Sequence, residues 1–419
     1  MKRIFTIVIL IAISQLLFSQ TSYTWNGSAS SAWNNNLNWT PGTGFPGATD
    51  NVTITAAGNS PLLDENRSVA NFTITAGTFD LNTFTLTITG TATFTAGTIN
   101  NGTFSPAGAS ANFNGATFGA IVTASCADIF LNGSTFNSTA TFTKTGSSNN
   151  YSIGGNTFNG VTTITNSGTG ALCSGYTGPV TTDRFNENLI VNCTGGGSVR
   201  FGNTNGVAVL ADGKTITAGT FDNGVLELRN FTQSDATTAQ TLTLTGTALL
   251  AVGPSSTFNG VVNFTAPRME LNGCTYGNTA SFTKNGASDN ESTGGNIFNG
   301  VTTVTNSGTR RMWLGYYAPI DIFNADVTFN NSGSSYISIG IAYAPTAETQ
   351  FNGNIILNST GASTGILFGQ GTGTINLADT KTISVGASGF SAGDLRLRNF
   401  TQVGTTPQTL TLTGPAVLY

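Results

Sequence analysis

Residues 158–169, FNGVTTITNSGT, return almost unchanged as FNGVTTVTNSGT at residues 298–309, an offset of 140 positions. A second segment repeats at the same offset, since LNGSTF at 131–136 returns as LNGCTY at 271–276. Self-similarity at a fixed offset is the signature of a repeat architecture, and it has to be interpreted before any local structure.

A shorter frame recurs within each long copy. It consists of an aromatic or apolar residue, usually followed by Asn, and an apolar residue six positions later, with a mean step of about 24 residues. The frame begins at Phe136, Phe158, Phe185, Leu210, Thr238, Phe258, Tyr276, Phe298, Phe323, Phe351, Leu377 and Thr406. The sixth positions are all apolar: Phe142, Ile164, Val191, Ile216, Leu244, Phe264, Phe282, Val304, Phe329, Leu357, Ile383 and Leu412. Runs such as VTTIT and DVTFN alternate apolar residues with Thr or Asn and are separated by Gly, Asn and Ser, a pattern that predicts strands and turns.

A third repeated segment shows how the copies differ. LRNFTQ begins at Leu228 and again at Leu397, an offset of 169, so the second copy contains 29 additional residues, close to one step of the frame. A solenoid accepts a whole extra coil because each coil contacts only its neighbours, whereas an array of β-sandwiches would not gain part of a domain. We therefore predict an all-β parallel β-helix (β-solenoid) with coils of about 24 residues. Its handedness is expected from the general preference for right-handed crossovers.

The chain start predicts export. Lys2 and Arg3 precede the apolar run FTIVILIAISQLLF, so we predict a signal peptide over residues 1–19, cleaved near Ser19-Gln20. This run is too short for a membrane span. We assign residues 20–62 to an N-terminal Trp/Asn/Pro-rich cap and 63–419 to the β-helix, and the interrupted third copy at Tyr419 suggests a fragment or shortened protein.

Composition limits the partners. Charged residues are 8% of the chain, and without the two N-terminal cations 13 basic and 19 acidic side chains remain, a net charge of −6. We therefore expect no nucleic-acid partner and no membrane insertion, because both would need clustered basic or long apolar segments. Disorder is excluded by 28 phenylalanines and a hydrophobic content of 38%.

The sequence gives little support for catalysis. It has no histidine, which removes Ser-His and Cys-His dyads and the commonest transition-metal ligand. The obvious acid pairs, Asp64 with Glu65 and Asp289 with Glu291, lie in Gly/Asn/Ser-rich connections. We predict no enzyme activity, no cofactor and no metal site. A polysaccharide-active enzyme would require carboxylates or a Lys, Arg or Tyr base gathered in one groove on adjacent coils, and at least two acids on one face within about 10 Å would favour it.

Three tryptophans are the candidate ligand-binding residues. Trp25, Trp33 and Trp39 lie within 15 residues, and their rings could form a platform for sugars. The alternative, which we favour, is that they build the cap required by a terminal repeat.

Other recurring residues have simpler interpretations. Asn159, Asn299, Asn324 and Asn352 follow the Phe of the frame and are expected to form a hydrogen-bonded ladder instead of a ligand-binding row. Glu227 and Arg229 share one face of a strand, which we interpret as solvated, because Arg396 replaces the glutamate in the later copy. Four scattered cysteines, Cys126, Cys173, Cys193 and Cys274, permit one disulfide, but buried free thiols are at least as consistent.

The chain resembles the large secreted, adhesin-like repeat proteins of Bacteroidetes-type bacteria, which are often cargo of type IX secretion. The resemblance is carried by TWNGSASSAWNNNLNWTPGTGFPGATDNVTI at 24–54 and by the FNGVTTITNSG and LRNFTQ units. It covers nearly the whole mature chain, although the C-terminal sorting domain usual in such proteins is missing.

These observations favour an extracellular structural or adhesive surface protein, with glycans or neighbouring surface proteins as partners and many weak contacts along a rod. A polysaccharide-active enzyme or carbohydrate-binding protein is the first alternative. The second is a threonine array that binds ice or a crystal surface, and the uneven step of the repeat counts against it.

Overall fold

The fold is that of a computed structural model, which describes residues 20–203, 205–317, 321–341, 348–361 and 365–419. The predicted signal peptide, residues 1–19, lies outside this part of the chain. The described residues form 49 strands, β1 to β49 in chain order, and a single short 3-10 helix, Asn36–Asn38. Within these ranges, no helix has the length and apolarity needed to cross a membrane.

Three strands recur in each turn of the chain, and each pairs with its counterpart in the next coil. Face 1 is a single sheet of 15 strands: β6 Thr78–Asp80, β9 Thr98–Asn100, β12 Thr117–Phe118, β15 Thr135–Phe136, β18 Thr157–Phe158, β21 Thr181–Phe185, β24 Gly206–Leu210, β27 Phe231–Gln233, β30 Thr257–Phe258, β33 Thr275–Tyr276, β36 Ile297–Phe298, β39 Ile322–Phe323, β42 Glu348–Phe351, β45 Thr374–Leu377 and β48 Phe400–Gln402.

Face 2 follows face 1 along the chain and is divided into sheets of 8 and 7 strands. Its strands are β4 Arg67–Val69, β7 Thr85–Ile88, β10 Thr103–Pro106, β13 Ile121–Cys126, β16 Ala140–Lys144, β19 Thr162–Asn166, β22 Leu189–Cys193, β25 Ile216–Phe221, β28 Gln240–Thr243, β31 Val262–Ala266, β34 Ala280–Lys284, β37 Thr302–Asn306, β40 Val327–Asn331, β43 Ile355–Ser359 and β46 Ile383–Phe390.

Face 3 completes each coil and is divided into sheets of 7, 6 and 6 strands. Its strands are β1 Ser22–Trp25, β2 Trp39–Thr40, β3 Asn51–Ile54, β5 Asn71–Ile74, β8 Thr91–Phe94, β11 Ser110–Asn114, β14 Asp128–Asn132, β17 Asn150–Tyr151, β20 Leu172–Ser174, β23 Ser198–Phe201, β26 Val225–Leu228, β29 Leu249–Val252, β32 Arg268–Leu271, β35 Asn290–Glu291, β38 Met312–Leu314, β41 Ile337–Ile339, β44 Ile366–Phe368, β47 Asp394–Leu397 and β49 Val417–Leu418. The predicted fold class, an all-β parallel β-helix, is confirmed.

Aromatic columns fill the interior behind face 1. Parallel strands lie about 4.8 Å apart, so identical inward positions bring flat rings into face-to-face contact. The stacked rings are tilted by only 4–11°, and their centroids lie 4.6–5.1 Å apart. Two such columns are formed by Phe118, Phe136, Phe158 and Phe185, and by Phe298, Phe323 and Phe351.

The inserted coil is present as predicted. Face 1 passes from Phe158 to Leu210 through one intermediate strand, β21. The matching path from Phe298 to Leu377 passes through two, β39 and β42. The additional residues of the second copy therefore form a complete extra coil.

Two starts of the predicted frame are wrong. The face-1 positions assigned to Thr238 and Thr406 are held by Gln233 and Gln402. Gln233 is fully buried, and its Oε1 accepts a hydrogen bond from the Gly260 N–H at 2.9 Å. Its Nε2 donates to a carbonyl of the turn that follows β27. A glutamine can fill this interior position because its amide is satisfied by adjacent turns.

Several sixth positions of the frame are also out of register. Ile216 pairs with Leu189, two residues earlier than expected, and Ile383 is displaced in the same way. Leu244 follows its strand directly, and Leu412 lies outside the strands. Ile216, Ile383 and Leu244 remain buried. A shift of two residues keeps a side chain on the same face of a strand. These residues are therefore buried as the sequence pattern predicts, although they pair with different partners.

The N-terminal end of the stack is closed by a local change of strand direction. β1 pairs in parallel with β3 on one side and antiparallel with β2 on the other. β3 belongs to the face-3 sheet, so stacking extends back to Asn51, within the segment assigned to the cap. The antiparallel strand β2 ends this sheet.

Candidate functional site

The three candidate tryptophans lie in the core. Trp25, Trp33 and Trp39 are 1%, 0% and 1% exposed, so none of them presents a ring face to a ligand. Trp39 packs edge-on against the other two rings, with centroids 4.8 and 4.6 Å away, and Trp33 stacks on Phe79 at the base of face 1. The interpretation as a sugar platform is wrong because these rings cover the first coil and are themselves covered.

Three of the four acids in the obvious acid pairs are engaged in ion pairs. Asp64 and Glu65 both contact Arg67, at 2.6 and 3.0 Å. Asp289 contacts Arg311 at 2.6 Å, and this guanidinium lowers the pKa of the Asp289 carboxyl. Asp64, Glu65 and Asp289 therefore each have a local structural partner.

The predicted asparagine ladder is confirmed. Each side-chain amide donates to the carbonyl oxygen of the asparagine in the preceding coil, at 2.7–2.8 Å. The two runs comprise Asn137, Asn159 and Asn186, and Asn299, Asn324 and Asn352. These amides satisfy one another at the turn that leaves face 1, so the run is explained as a structural feature.

Outward threonines form columns on the three faces. The adjoining columns on face 2 are Thr123, Thr141 and Thr163, and Ser125, Thr143 and Thr165. Face 1 carries Thr78, Thr98, Thr117, Thr135 and Thr157. The first coils of face 3 carry Thr24, Thr53, Thr73 and Thr93. The uneven coil length does not disturb this register because it is absorbed outside the paired strands.

A charged and aromatic row follows the outward side of face 3. In register from coil to coil, its first part is Tyr151, Cys173, Arg200, Glu227, Ala251 and Glu270. The second part is Glu291, Trp313, Ser338, Leu367 and Arg396. Several of the chain's scarce charges therefore meet on one side of the stack.

A cavity of about 300 Å³ opens along this row, and we call it the face-3 groove. Its polar lining is provided by Glu227, Arg229, Glu270, Asn272 and Thr293. Gly253 in its wall cannot carry a side chain, because the backbone has φ +116° and a Cβ would lie 1.7 Å from the Asn272 carbonyl oxygen. A second depression of about 240 Å³ adjoins it and shares Arg229.

The two glutamates of the groove differ in their surroundings. Glu227 is 9% exposed and forms ion pairs with Arg229 and, at 3.3 Å, with Arg200. Glu270 lies two strands away, about 10 Å along the stack. Burial raises the pKa of the Glu270 carboxyl, Arg268 opposes the increase, and the charge of Glu227 adds to it. The expectation of a solvated strand face is therefore wrong for Glu227.

This spacing meets the criterion for two acids on one face within about 10 Å. The environment of Glu227 nevertheless suits binding better than proton abstraction, because two arginines share its charge. Asn272 Oδ1 accepts hydrogen bonds from the Thr293 N–H and hydroxyl at 2.7 and 3.0 Å. The groove thus presents fixed acceptors and donors of the kind that hold sugar hydroxyls.

An aromatic cluster stands beside the groove. Trp313 is stacked on Tyr316, with centroids 4.5 Å apart and planes tilted by 2°. The Arg311 guanidinium lies 4.1 Å from the Trp313 ring, and Tyr317 packs edge-on against Tyr316. Tyr317 is 49% exposed. Sequence reasoning missed this cluster, although RRMWLGYY at 310–317 is the densest aromatic and basic segment of the second copy.

The four cysteines are free and buried. Burial raises the pKa of each thiol, that of Cys173 to about 12. No group of three or more metal-ligating His, Cys, Asp or Glu side chains occurs among the described residues. In comparisons with family models, curated proteins and solved structures, nothing matches this chain.

Proposed function

We propose that this chain is an extracellular structural or adhesive surface protein that makes many weak contacts with glycans or neighbouring surface proteins. The observation that carries the proposal is the register of the outward threonine columns, which repeat hydroxyls about 4.8 Å apart along the stack and about 7 Å apart along each strand. A rigid surface of repeated weak donors and acceptors gains strength by engaging many groups at once.

Charge and topology support this proposal. A net charge of −6 on the mature chain, spread thinly, leaves hydroxyl and amide groups as the main polar contacts. The aromatic columns and the paired strands hold these groups in fixed positions, so binding costs little conformational entropy. The basic and apolar start of the chain supports secretion as the route to the cell surface.

The test is binding of the purified mature chain to immobilised bacterial, algal and plant polysaccharides and to whole cells, with release of reducing ends measured in parallel. Retention without released sugar is expected. Multivalency predicts a graded response: one outward lysine at Thr163 should have little effect, whereas lysines at Thr141, Thr143, Thr163 and Thr165 together should abolish retention on a weakly binding surface. The same fourfold change at Thr98, Thr117, Thr135 and Thr157 measures how much the threonine column of face 1 contributes to retention.

Two results would contradict the proposal. Failure to bind every polysaccharide and cell surface would remove the adhesive function. Release of oligosaccharides would show that the chain is an enzyme.

The paired columns of face 2 favour a second candidate, a surface that binds ice or another crystal. Two adjoining columns in register form a flat lattice of hydroxyl and methyl groups. Crystal growth in the presence of the chain, with the fourfold face-2 variant as control, tests this candidate directly.

A further inference from the structure

We propose that the face-3 groove and the adjacent aromatic cluster form one discrete binding site for an extended, neutral polysaccharide segment. This inference rests on the proposed adhesive function and assigns it a defined site. Its residues in contact with the ligand are Glu227, Glu270, Asn272, Thr293 and Tyr317.

The charges of the groove favour a neutral ligand. Glu227 pairs with Arg200 and Arg229, and Glu270 supplies a second carboxylate in the same groove, so two carboxylates balance two guanidiniums and no net charge is left over for an ionic ligand. Carboxyl, amide and hydroxyl groups remain as partners for hydroxyl-rich molecules.

The length of the site favours a chain over a single sugar. Strands β26, β29 and β32 pair in one face-3 sheet, and β35 and β38 pair in the next. The two sheets meet at an isolated bridge between Asn272 and Gly294. Four strand steps correspond to about 19 Å. Glu227 lies at one end of this distance, Asn272 and Thr293 lie between, and the aromatic cluster lies at the other end, so a ligand that contacts all of them runs parallel to the stack.

The exposed aromatic ring supplies the apolar contact that sugars require. Tyr317 is held edge-on by Tyr316, which is itself fixed by the stack on Trp313. A ring that is oriented before binding loses little entropy when a sugar packs against it. Arg311 supports the same stack from the opposite side of Trp313.

The first copy shows that the fold does not require these side chains. At the offset of 140, Phe130 stands where the second copy has Glu270, and Cys173 stands where it has Trp313. Thr177 replaces Tyr317 in the same way. The strands of both copies nevertheless pair alike, with β14 and β32 in equivalent places. The outward residues of this row therefore differ between the two copies, whereas the strand pairing is the same in both.

The test measures affinity of the mature chain for soluble neutral polysaccharides (a β-glucan, a xylan and a galactomannan), with polygalacturonate and chitosan as charged comparisons. Glu270→Ala and Tyr317→Ala should each weaken binding of the preferred neutral polymer by about tenfold, since each removes a contact worth about 1.4 kcal/mol. Tyr151→Ala is the matched control: it removes a tyrosine of similar exposure, 42%, from the same face in the first copy. Circular dichroism and thermal unfolding confirm that each variant is folded.

The outcomes separate this site from the general function. If the wild-type chain binds polysaccharides and all three variants bind equally well, the site is refuted while the adhesive function stands. Binding to charged polymers alone would refute the neutral ligand, and release of reducing ends would refute a site that only binds. If the wild-type chain binds no polymer and no cell, the proposed function fails together with the site.

Discussion

A buried aspartate makes the stability of the second copy depend on pH. Asp321 is completely buried, and its Oδ1 accepts hydrogen bonds from the Asn296 backbone N–H and side-chain amide at 2.9 and 2.8 Å. Its Oδ2 has no hydrogen-bond partner among the described residues. In the first copy, the corresponding Asp183 receives the Ser174 hydroxyl on this oxygen. Burial raises the pKa of Asp321 to about 6.

The direction of the effect follows from the two pKa values. The folded-state pKa of about 6 exceeds the ordinary value of 3.8, so between these values the folded protein holds a proton that the unfolded chain has lost. The free energy of unfolding therefore falls as the pH rises from about 4 to 6, by about 3 kcal/mol in total. The stabilisation that the bound proton provides is complete below about pH 4 and is nearly absent at neutral pH.

Asp321→Asn tests this reasoning because it keeps the Oδ1 acceptor and removes the ionisation. Urea unfolding of the mature chain, followed by circular dichroism, gives the free energy of unfolding at pH 4.5 and pH 7.5. The difference between variant and wild type should move in favour of the variant by about 2 kcal/mol between these two pH values, the part of the linkage that this window covers.

The first copy supplies the comparison. Burial also raises the pKa of Asp183, so Asp183→Asn should reduce the pH dependence in the same direction and add to the effect of Asp321→Asn in the double variant. If wild type and Asp321→Asn differ by the same free energy at both pH values, the carboxyl does not titrate between them and the reasoning is refuted.

Three further predictions concern the core. Phe158→Ala should lower the free energy of unfolding by about 3–5 kcal/mol, because it removes a ring stacked between Phe136 and Phe185. Urea unfolding measures this loss, and a value below about 1 kcal/mol would contradict the stacked column. Tyr276→Phe should stabilise the protein by about 1 kcal/mol, seen as a higher Tm, because the fully buried hydroxyl has no good hydrogen-bond partner among the described residues and lies beside the weak Cys274 thiol. An unchanged or lower Tm would show a better partner. The four cysteines should react with a thiol reagent only after unfolding, since all are buried and free, and rapid labelling of the native chain would contradict their burial.

The sequence was sufficient to predict the interior because the interior is nearly the same in every coil. An inward position on face 1 must accept a ring or a branched chain stacked on its neighbours about 4.8 Å away, so Phe158 and Phe298 recur with their surroundings. The inserted coil was predictable for the same reason. Gln233 was not, because its fit depends on hydrogen bonds from turns that no local pattern specifies.

Outward positions were harder to predict because neighbours on the surface are not separated by a constant number of residues. Face-1 partners are 18 residues apart between Phe258 and Tyr276 but 28 apart between Phe323 and Phe351. Interior residues can still be aligned between coils, because the same residue types recur there. Exterior residues cannot be aligned in this way, because their identity changes from coil to coil. Glu227 and Glu270 share one row of face 3 only once the true register is known.

The separation between a constant interior and a variable exterior bears directly on function. Replacing Cys173 by Trp313, or Phe130 by Glu270, between copies leaves the strand pairing intact, because in each case the side chain projects from the same outward position of a parallel sheet. Strand pairing therefore tolerates different side chains in the outward row, even where they are buried, as Cys173 and Trp313 are. The aromatic columns, by contrast, repeat the same ring from coil to coil. The opposing charges, the cavity and the aromatic cluster lie where the first copy meets the second. Substitution of Glu270 or Tyr317, whose identity differs between the copies, should therefore change binding and leave folding intact.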